Sequence, residues 1–182
     1  MERAEATRIL EEALLKTLTP EERGERLASL WSECSDEHWF DDEDPAVYTD
    51  DIRADMLANE SPQHPGHPRY DPVLRDLLQG SFRGVVNAYL LRELSRLGVE
   101  AESIIGEPER MVACPCCRYL TIPPGDDGFC AICMACFWQD SPGGNHVSLR
   151  QARENFEKHG AMEPRFLGSV DPDAREKYAR KL

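Results

Sequence analysis

Positive charge is scarce in this chain. Its 182 residues carry 21 Lys and Arg against 34 Asp and Glu, a formal net charge of −13. Sequence-independent grip on nucleic acid comes from lysines and arginines that displace counterions from phosphates. Attachment to an anionic membrane surface needs the same side chains, so both partners are disfavoured. Long apolar runs are missing too, and nothing approaches the ~20 residues of a membrane-spanning helix. Residues 1–16 lack a basic stretch followed by an uninterrupted apolar one, so they do not read as a secretory leader. The expected location is the cytoplasm.

Acid is plentiful, and it is unevenly placed. Residues 1–110 hold 25 acidic and 12 basic side chains, whereas residues 111–182 hold nine of each. Between residues 33 and 60 there are eleven acids and one base, Arg53. A run of this kind is either a solvated loop that favours solubility or a face that meets a basic partner, where complementary charge speeds association and rejects wrong partners. Aromatic residues lie among the acids, as the centre of an interface requires. Trp31 reads as core and Trp39 as a candidate anchor. The predicted partner-binding face is therefore Asp36, Glu37, Trp39, Asp41, Asp42, Glu43, Asp44, Asp50 and Asp51. Calcium is disfavoured there, because Asp41 to Asp44 lack the alternating ligands, central glycine and closing glutamate of an EF-hand loop.

Hydrophobic periodicity predicts helices through most of the first hundred residues. Ile9, Leu10, Ala13, Leu14 and Leu18 recur at three- and four-residue steps over residues 2–18. Thr19, Pro20 and Glu22 form a capping box with proline in the first turn, opening a second helix with the stripe Leu27, Leu30, Trp31 and Cys34. On that stripe Cys34 reads as a small buried apolar residue. A short helix follows Thr49, through Ile52, Met56 and Leu57. Ser61 to Pro68, with three prolines and a glycine, must be a loop, and His64 and His67 read as loop histidines. Asp71 and Pro72 open another helix by the same cap-and-proline logic. Gly80 breaks or kinks it before a longer segment with Val85, Val86, Tyr89, Leu90, Leu94 and Leu97, which ends at Gly98.

Six of the seven cysteines fall between residues 114 and 136. Pairing Cys114 with Cys117 and Cys133 with Cys136 gives two C-x-x-C turns separated by fifteen residues, the spacing of four-thiolate zinc sites. A two-residue spacer lets one tight turn point both sulfurs at one ion, and two turns complete a tetrahedron. Disulfides are the first rival, which a reducing compartment opposes. The second is dithiol redox chemistry at Cys114 and Cys117, which normally needs a strand running into a helix. Here Arg118 to Pro124 reads as a strand ending in a turn. Four thiolates also leave no open coordination position, so the metal, one Zn2+ or iron in a similar site, reads as structural. The H-x-E and P-C-x-x-C pattern of a zinc deaminase is not present. Cys116 and Cys130 are left over, and two readings stay open: both pack against the site, or Cys130 competes with Cys133 as a ligand. Beyond the cluster, Ser148 and Gln151 start a final helix with Leu149, Ala152, Arg153 and Phe156 on one face, and Gly160 stops it. Leu149 and Phe156 are expected to pack under Phe137 and Trp138.

Residues 113–160 resemble the bacterial CPCC cysteine-rich family. The resemblance rests on Cys114-Pro115-Cys116-Cys117-Arg118-Tyr119-Leu120-Thr121, Cys133 through Cys136-Phe137-Trp138, Gly143-Gly144-Asn145, and Ser148-Leu149 through Ala152-Arg153, Asn155-Phe156 and Gly160. It covers about a quarter of the chain, and the sequence departs from the family pattern at Cys130 and in having Met134 where proline is usual. The resemblance implies a small zinc-ribbon-type module and includes proteins suspected of conferring immunity to bacterial toxins.

The expected architecture is α+β and mostly helical. An acidic helical bundle over residues 1–110 precedes a zinc-ribbon-like β module over 111–160, and residues 161–182 form a tail with a short helix. The expected function is that of a non-enzymatic immunity protein whose acidic half covers a basic toxin domain. The alternatives are a zinc-ribbon adaptor acting with nucleic acid through the basic residues of 150–182, and a thiol redox protein.

Overall fold

The computed structural model describes residues 1–34, 36–41, 43–125, 130–139 and 145–181. Its chain forms two compact units, one of Ala4–Ser81 and one of Met1–Arg3 with Phe82–Leu182. The division after Ser81 differs from the boundary near residue 110 suggested by the change in charge.

The first unit is helical. Helix α1 spans Arg3–Thr17, α2 Pro20–Glu33, α3 Asp50–Ala58 and α4 Asp71–Leu78, with single 3-10 turns at Glu37–Phe40 and Pro68–Tyr70. The capping box at the start of α2 forms as the sequence predicts. Glu22 N–H donates to Thr19 Oγ1 at 3.2 Å, and Thr19 N–H donates back to Glu22 Oε2 at 2.8 Å. Such a box satisfies two amide donors that helical geometry leaves unpaired. At α4 the expectation fails in detail, because Tyr70 is the cap and Asp71 lies inside the first turn. The preceding 3-10 turn runs straight into the helix, and the Asp71 carboxylate is taken by Arg23.

Leu15, Leu27, Trp31, Phe40, Tyr48, Ile52, Met56, Tyr70, Val73, Leu74 and Leu78 make the core of this unit. The Trp31 ring meets Tyr70 edge-on, centroids 5.8 Å apart. Cys34 is half-buried against this cluster, and burial raises its thiol pKa. The proline-rich loop is held by one buried arginine. Arg23 donates from Nε to Pro65 O at 2.9 Å and from Nη2 to His67 O at 3.3 Å and Asp71 Oδ1 at 2.5 Å. His67 is a loop residue, as expected, and its Nδ1 accepts from Arg69 N–H at 3.1 Å.

The second unit is built from distant pieces of chain. Helix α5 (Asn87–Arg96) ends in a Schellman arrangement, with Val99 N–H donating to Leu94 O and Gly98 N–H to Ser95 O, both at 3.0 Å. Gly98 takes φ +75°, which a residue with a Cβ adopts at a cost. Strands β1 (Val112–Ala113) and β2 (Leu120–Ile122) pair antiparallel. Helix α6 (Leu149–His159) has Ser148 as its N-cap and Gly160 as its left-handed C-cap, both as predicted. A short helix α7 covers Ala174–Lys177.

The end of the chain explains why the second unit begins at Phe82. Val86 N–H donates to Lys177 O at 2.8 Å, Leu120 N–H to Ala179 O at 2.9 Å, and Lys181 N–H to Arg118 O at 2.9 Å. Residues 177–181 thus bond to the chain before α5 and to the hairpin. Tyr89 adds a hydrogen bond from its hydroxyl to Asp173 at 3.0 Å. At the other end, buried Arg3 forks onto Glu109, with Nη2 to Oε2 at 2.8 Å, and also donates to Asn87 and Phe82 O. Burial alone would raise the Glu109 pKa, but the Arg3 guanidinium and the Gly84 amide hold it down to about 2.

Candidate metal centre

The two C-x-x-C segments fold into turns of the same construction. In the first, Arg118 N–H donates to Cys114 O at 2.9 Å and Cys114 N–H donates to Tyr119 O at 2.8 Å. In the second, Phe137 N–H donates to Cys133 O at 2.7 Å and Cys133 N–H donates to Trp138 O at 2.8 Å. The residue after the second cysteine is left-handed in both, with φ +70° at Arg118 and +65° at Phe137. A non-glycine residue there costs on the order of 1–2 kcal/mol. Each turn carries one such residue at the equivalent position.

These turns bring four sulfurs together. Cys114 Sγ and Cys136 Sγ are 3.6 Å apart, Cys117 Sγ and Cys133 Sγ 3.5 Å, and all four ligand atoms lie within 4.8 Å of one another. Four sulfurs each ~2.3 Å from a tetrahedral ion stand about 3.8 Å apart, so the donor set fits one metal ion. All four cysteines are buried, which leaves no open face for a substrate. The predicted ligands Cys114, Cys117, Cys133 and Cys136 are therefore the four that converge. Of the two spare cysteines, Cys116 is buried beside Cys136 without joining the group of four, and Cys130 is exposed and stands apart from it.

Four buried thiols cannot all ionise side by side without a cation. Hydrogen bonds from Cys114, Cys117, Cys136 and Thr121 hold the Cys133 thiol far below the ordinary range, outweighing burial. The bonds that Cys117 and Cys136 make to their sulfur neighbours, Cys114 first among them, push their own values up. Cys114, Cys117, Cys133 and Cys136 would hold a divalent ion as four thiolates, and the ion would supply the positive charge that lets all four ionise.

Three further residues around the sulfurs carry no ligand signal in the sequence. Thr121, on β2 and buried, places Oγ1 3.0 Å from Cys133 Sγ, in position to donate to that sulfur when it is a metal-bound thiolate. Such outer partners orient metal ligands and tune their basicity. Arg153 Nε donates to Pro115 O at 3.0 Å, and Arg180 Nε donates to Cys117 O at 3.0 Å. The only sequence signal for Thr121 was its place on a short strand next to the cysteines. Arg153 and Arg180 read as scattered surface charge.

The aromatic pair after the second turn packs differently from expectation. Phe137 stacks on Phe166, centroids 4.5 Å apart, and Phe156 meets Tyr119 edge-on at 6.4 Å. Trp138 and Leu149 do lie against the cysteine-centred core with Phe156. Phe166 takes the place because the segment after α6 closes over this turn, with Met162 N–H donating to Cys136 O and Asp171 N–H to Met134 O.

Residues 112–177 match the model of a family described as Cysteine-rich CPCC. This segment is similar to the CPCC family. The match runs past Gly160 to Lys177, in keeping with Met162 and Ala174 being buried in the same core as the cysteines. Residues 161–177, expected as a tail, thus fall within the matched segment. No curated protein and no solved structure matches the chain.

Among the described residues the acidic side chains form no comparable centre. Asp36, Glu37, Asp41, Asp44, Asp50 and Asp51 are exposed and Glu43 is half-exposed, while Asp42 lies outside the described residues. Asp36 and Asp44 accept local main-chain N–H groups from His38 at 2.9 Å and Ala46 at 2.8 Å. Trp39 is half-buried, edge-on to Phe40 and Tyr48 with centroids at 5.0 and 5.4 Å, so its ring is tied to the core edge. Asp55 is not a surface acid at all. It is buried, with Arg69 Nη2 2.9 Å away and Tyr70 donating to it.

Proposed function

We propose that this is a non-enzymatic binding protein whose acidic helical unit grips a basic protein partner, while structural Zn2+ holds the CPCC module. The observation that carries the reading is the coincidence of charge with the structural division. Residues 4–81 contain 19 acidic and 7 basic side chains, a net charge of −12. The rest of the chain, with 15 acidic and 14 basic side chains, has a net charge of −1. Within the acidic unit, Asp55, Asp71 and Glu12 are consumed by Arg69, Arg23 and Arg75. Glu37, Glu43 and Asp50 make no ion pair among the described residues. Such uncompensated charge destabilises the unit that bears it unless a partner of opposite charge relieves it.

Zn2+ is the metal of this reading because four buried thiolates suit a closed tetrahedral site that performs no redox step. Seven free cysteines accord with a reducing compartment, so the proposed location is the cytoplasm. The partner of the finest reading is a basic bacterial toxin domain, which the protein neutralises as its immunity protein.

The test is co-purification with the product of the adjacent gene, over a salt series. The reading expects a complex at low salt that weakens as salt rises, and that weakens further in Asp41→Asn/Glu43→Gln/Asp44→Asn. A pair that stays apart at low salt, or a triple variant that binds and protects like the parent, overturns it. Elemental analysis of the purified protein tests the metal, with about one zinc per chain expected from the four-thiolate set.

A further inference from the structure

We propose that Arg153 and Arg180 set the metal affinity of the CPCC module, doing at the first cysteine turn what main-chain amides do at the second. Among the carbonyls that each turn's own hydrogen bonds leave over are one on the residue after the first cysteine and one on the second cysteine itself. At the second turn these are Met134 O and Cys136 O. They accept from Asp171 N–H at 2.9 Å and Met162 N–H at 2.7 Å. At the first turn the equivalent atoms are Pro115 O and Cys117 O. They accept from Arg153 Nε and Arg180 Nε, both at 3.0 Å. The same four positions are therefore filled, twice by backbone and twice by guanidinium.

The substitution has two physical consequences. A hydrogen bond on the carbonyl of a ligating cysteine fixes the peptide plane and hence the direction of Sγ, so Arg180 positions Cys117. Arg153 does the same for the loop between the two ligands. A divalent ion bound by four thiolates also has two excess negative charges, which nearby guanidinium groups offset. Arg180 is itself held, ion-paired to Glu157 at 2.8 Å and facing Tyr119 at 5.5 Å. The second turn is held by groups no side-chain change can remove, whereas the first depends on two side chains. Loss of metal accordingly begins at Cys114 and Cys117.

This inference rests on the module being a metal site. If the purified protein binds no metal at all, that reading fails, whereas arginine variants with parental affinity overturn only the present one. The experiment titrates the full chain with Co2+, whose thiolate absorption reports the ligand set, in competition with a chromophoric chelator. Arg153→Gln and Arg180→Gln are expected to bind about 10–100-fold more weakly with an unchanged spectrum. Arg175→Gln, whose guanidinium faces Phe156 at 5.4 Å and touches neither turn, should stay near the parent value. Parental affinity in both glutamine variants, or an equal loss in Arg175→Gln, refutes the assignment. Arg180→Lys keeps the charge without the fixed Nε–H and should remain weakened, and full recovery refutes the role of the hydrogen bond. A second measurement needs no variant. During slow chelation of the unsubstituted protein, alkylation should reach Cys114 and Cys117 before Cys133 and Cys136, and the reverse order overturns the proposal.

Discussion

Removing the metal should unfold one unit of this protein and spare the other. The cysteine-centred cluster of the second unit contains five cysteines, Cys114, Cys116, Cys117, Cys133 and Cys136, with Tyr119, Ile122, Phe156 and Met162 as its large buried apolar side chains, while Val85, Tyr89, Leu90 and Leu94 are buried elsewhere in the same unit. Structural zinc in small modules contributes ~10–16 kcal/mol at neutral pH, as much as the whole stability of an ordinary domain, about 5–15 kcal/mol. Without it, four buried thiols and the left-handed Arg118 and Phe137 have nothing to offset their cost. The core of Ala4–Ser81 contains no ligand to the metal and should be untouched.

The tryptophans make the two responses separable. Trp31 and Trp39 lie in the first unit and Trp138 in the second. In Trp31→Phe/Trp39→Phe, the emission of Trp138 should shift to that of a solvated indole on chelation, and its thermal transition should vanish. In Trp138→Phe, the emission and melting of the first unit should barely change. A Trp138 transition that survives stoichiometric chelation, with metal loss verified, would refute the argument that the ion holds the module together.

Three further outcomes follow from individual contacts. Thr121→Val removes the hydroxyl that donates to Cys133 at nearly constant volume, and should lower metal affinity about tenfold while the loaded protein stays folded, as chelator competition would show. Glu109 is held at about 2, below its ordinary 4.5, so the stability it supplies is complete above pH 4.5 and is lost as pH falls toward 2. Its side chain is about half exposed to solvent, which limits the effect to ~1–2 kcal/mol after screening. Glu109→Gln should be less stable than the parent at neutral pH and should converge with it near pH 2 in denaturant titrations. Leu27→Ala, at a fully buried position of the first unit, should cost about 2–5 kcal/mol there, with no change in metal affinity.

Local signals were legible wherever a short segment satisfies its own backbone. The capping box at Thr19 and Glu22, the stop at Gly98 and the cap at Ser148 form where predicted, because each needs atoms only a few residues apart. Asp71 is the exception that shows the limit. Its carboxylate could serve as a cap, but Arg23, far away in sequence, claims it. Asp55 is a second case. It reads as one more acid in an acidic run, and only the folded chain buries it against Arg69 and Tyr70.

By itself the sequence singled out Cys114, Cys117, Cys133 and Cys136, which the fold brings together, but left Cys130 as a rival to Cys133. Two C-x-x-C spacers leave few ways to converge four sulfurs, and the thiolate chemistry of a closed site follows from composition alone. It also determined that negative charge is concentrated before residue 111. Only the tertiary structure decided where the units divide and what holds the first cysteine turn. Both depend on residues 177–181 returning to Val86 and Leu120 and bringing Arg180 to Cys117 O. Pairings across so long a stretch of chain are set by burial and hydrogen bonding of the whole unit, for which no local pattern exists.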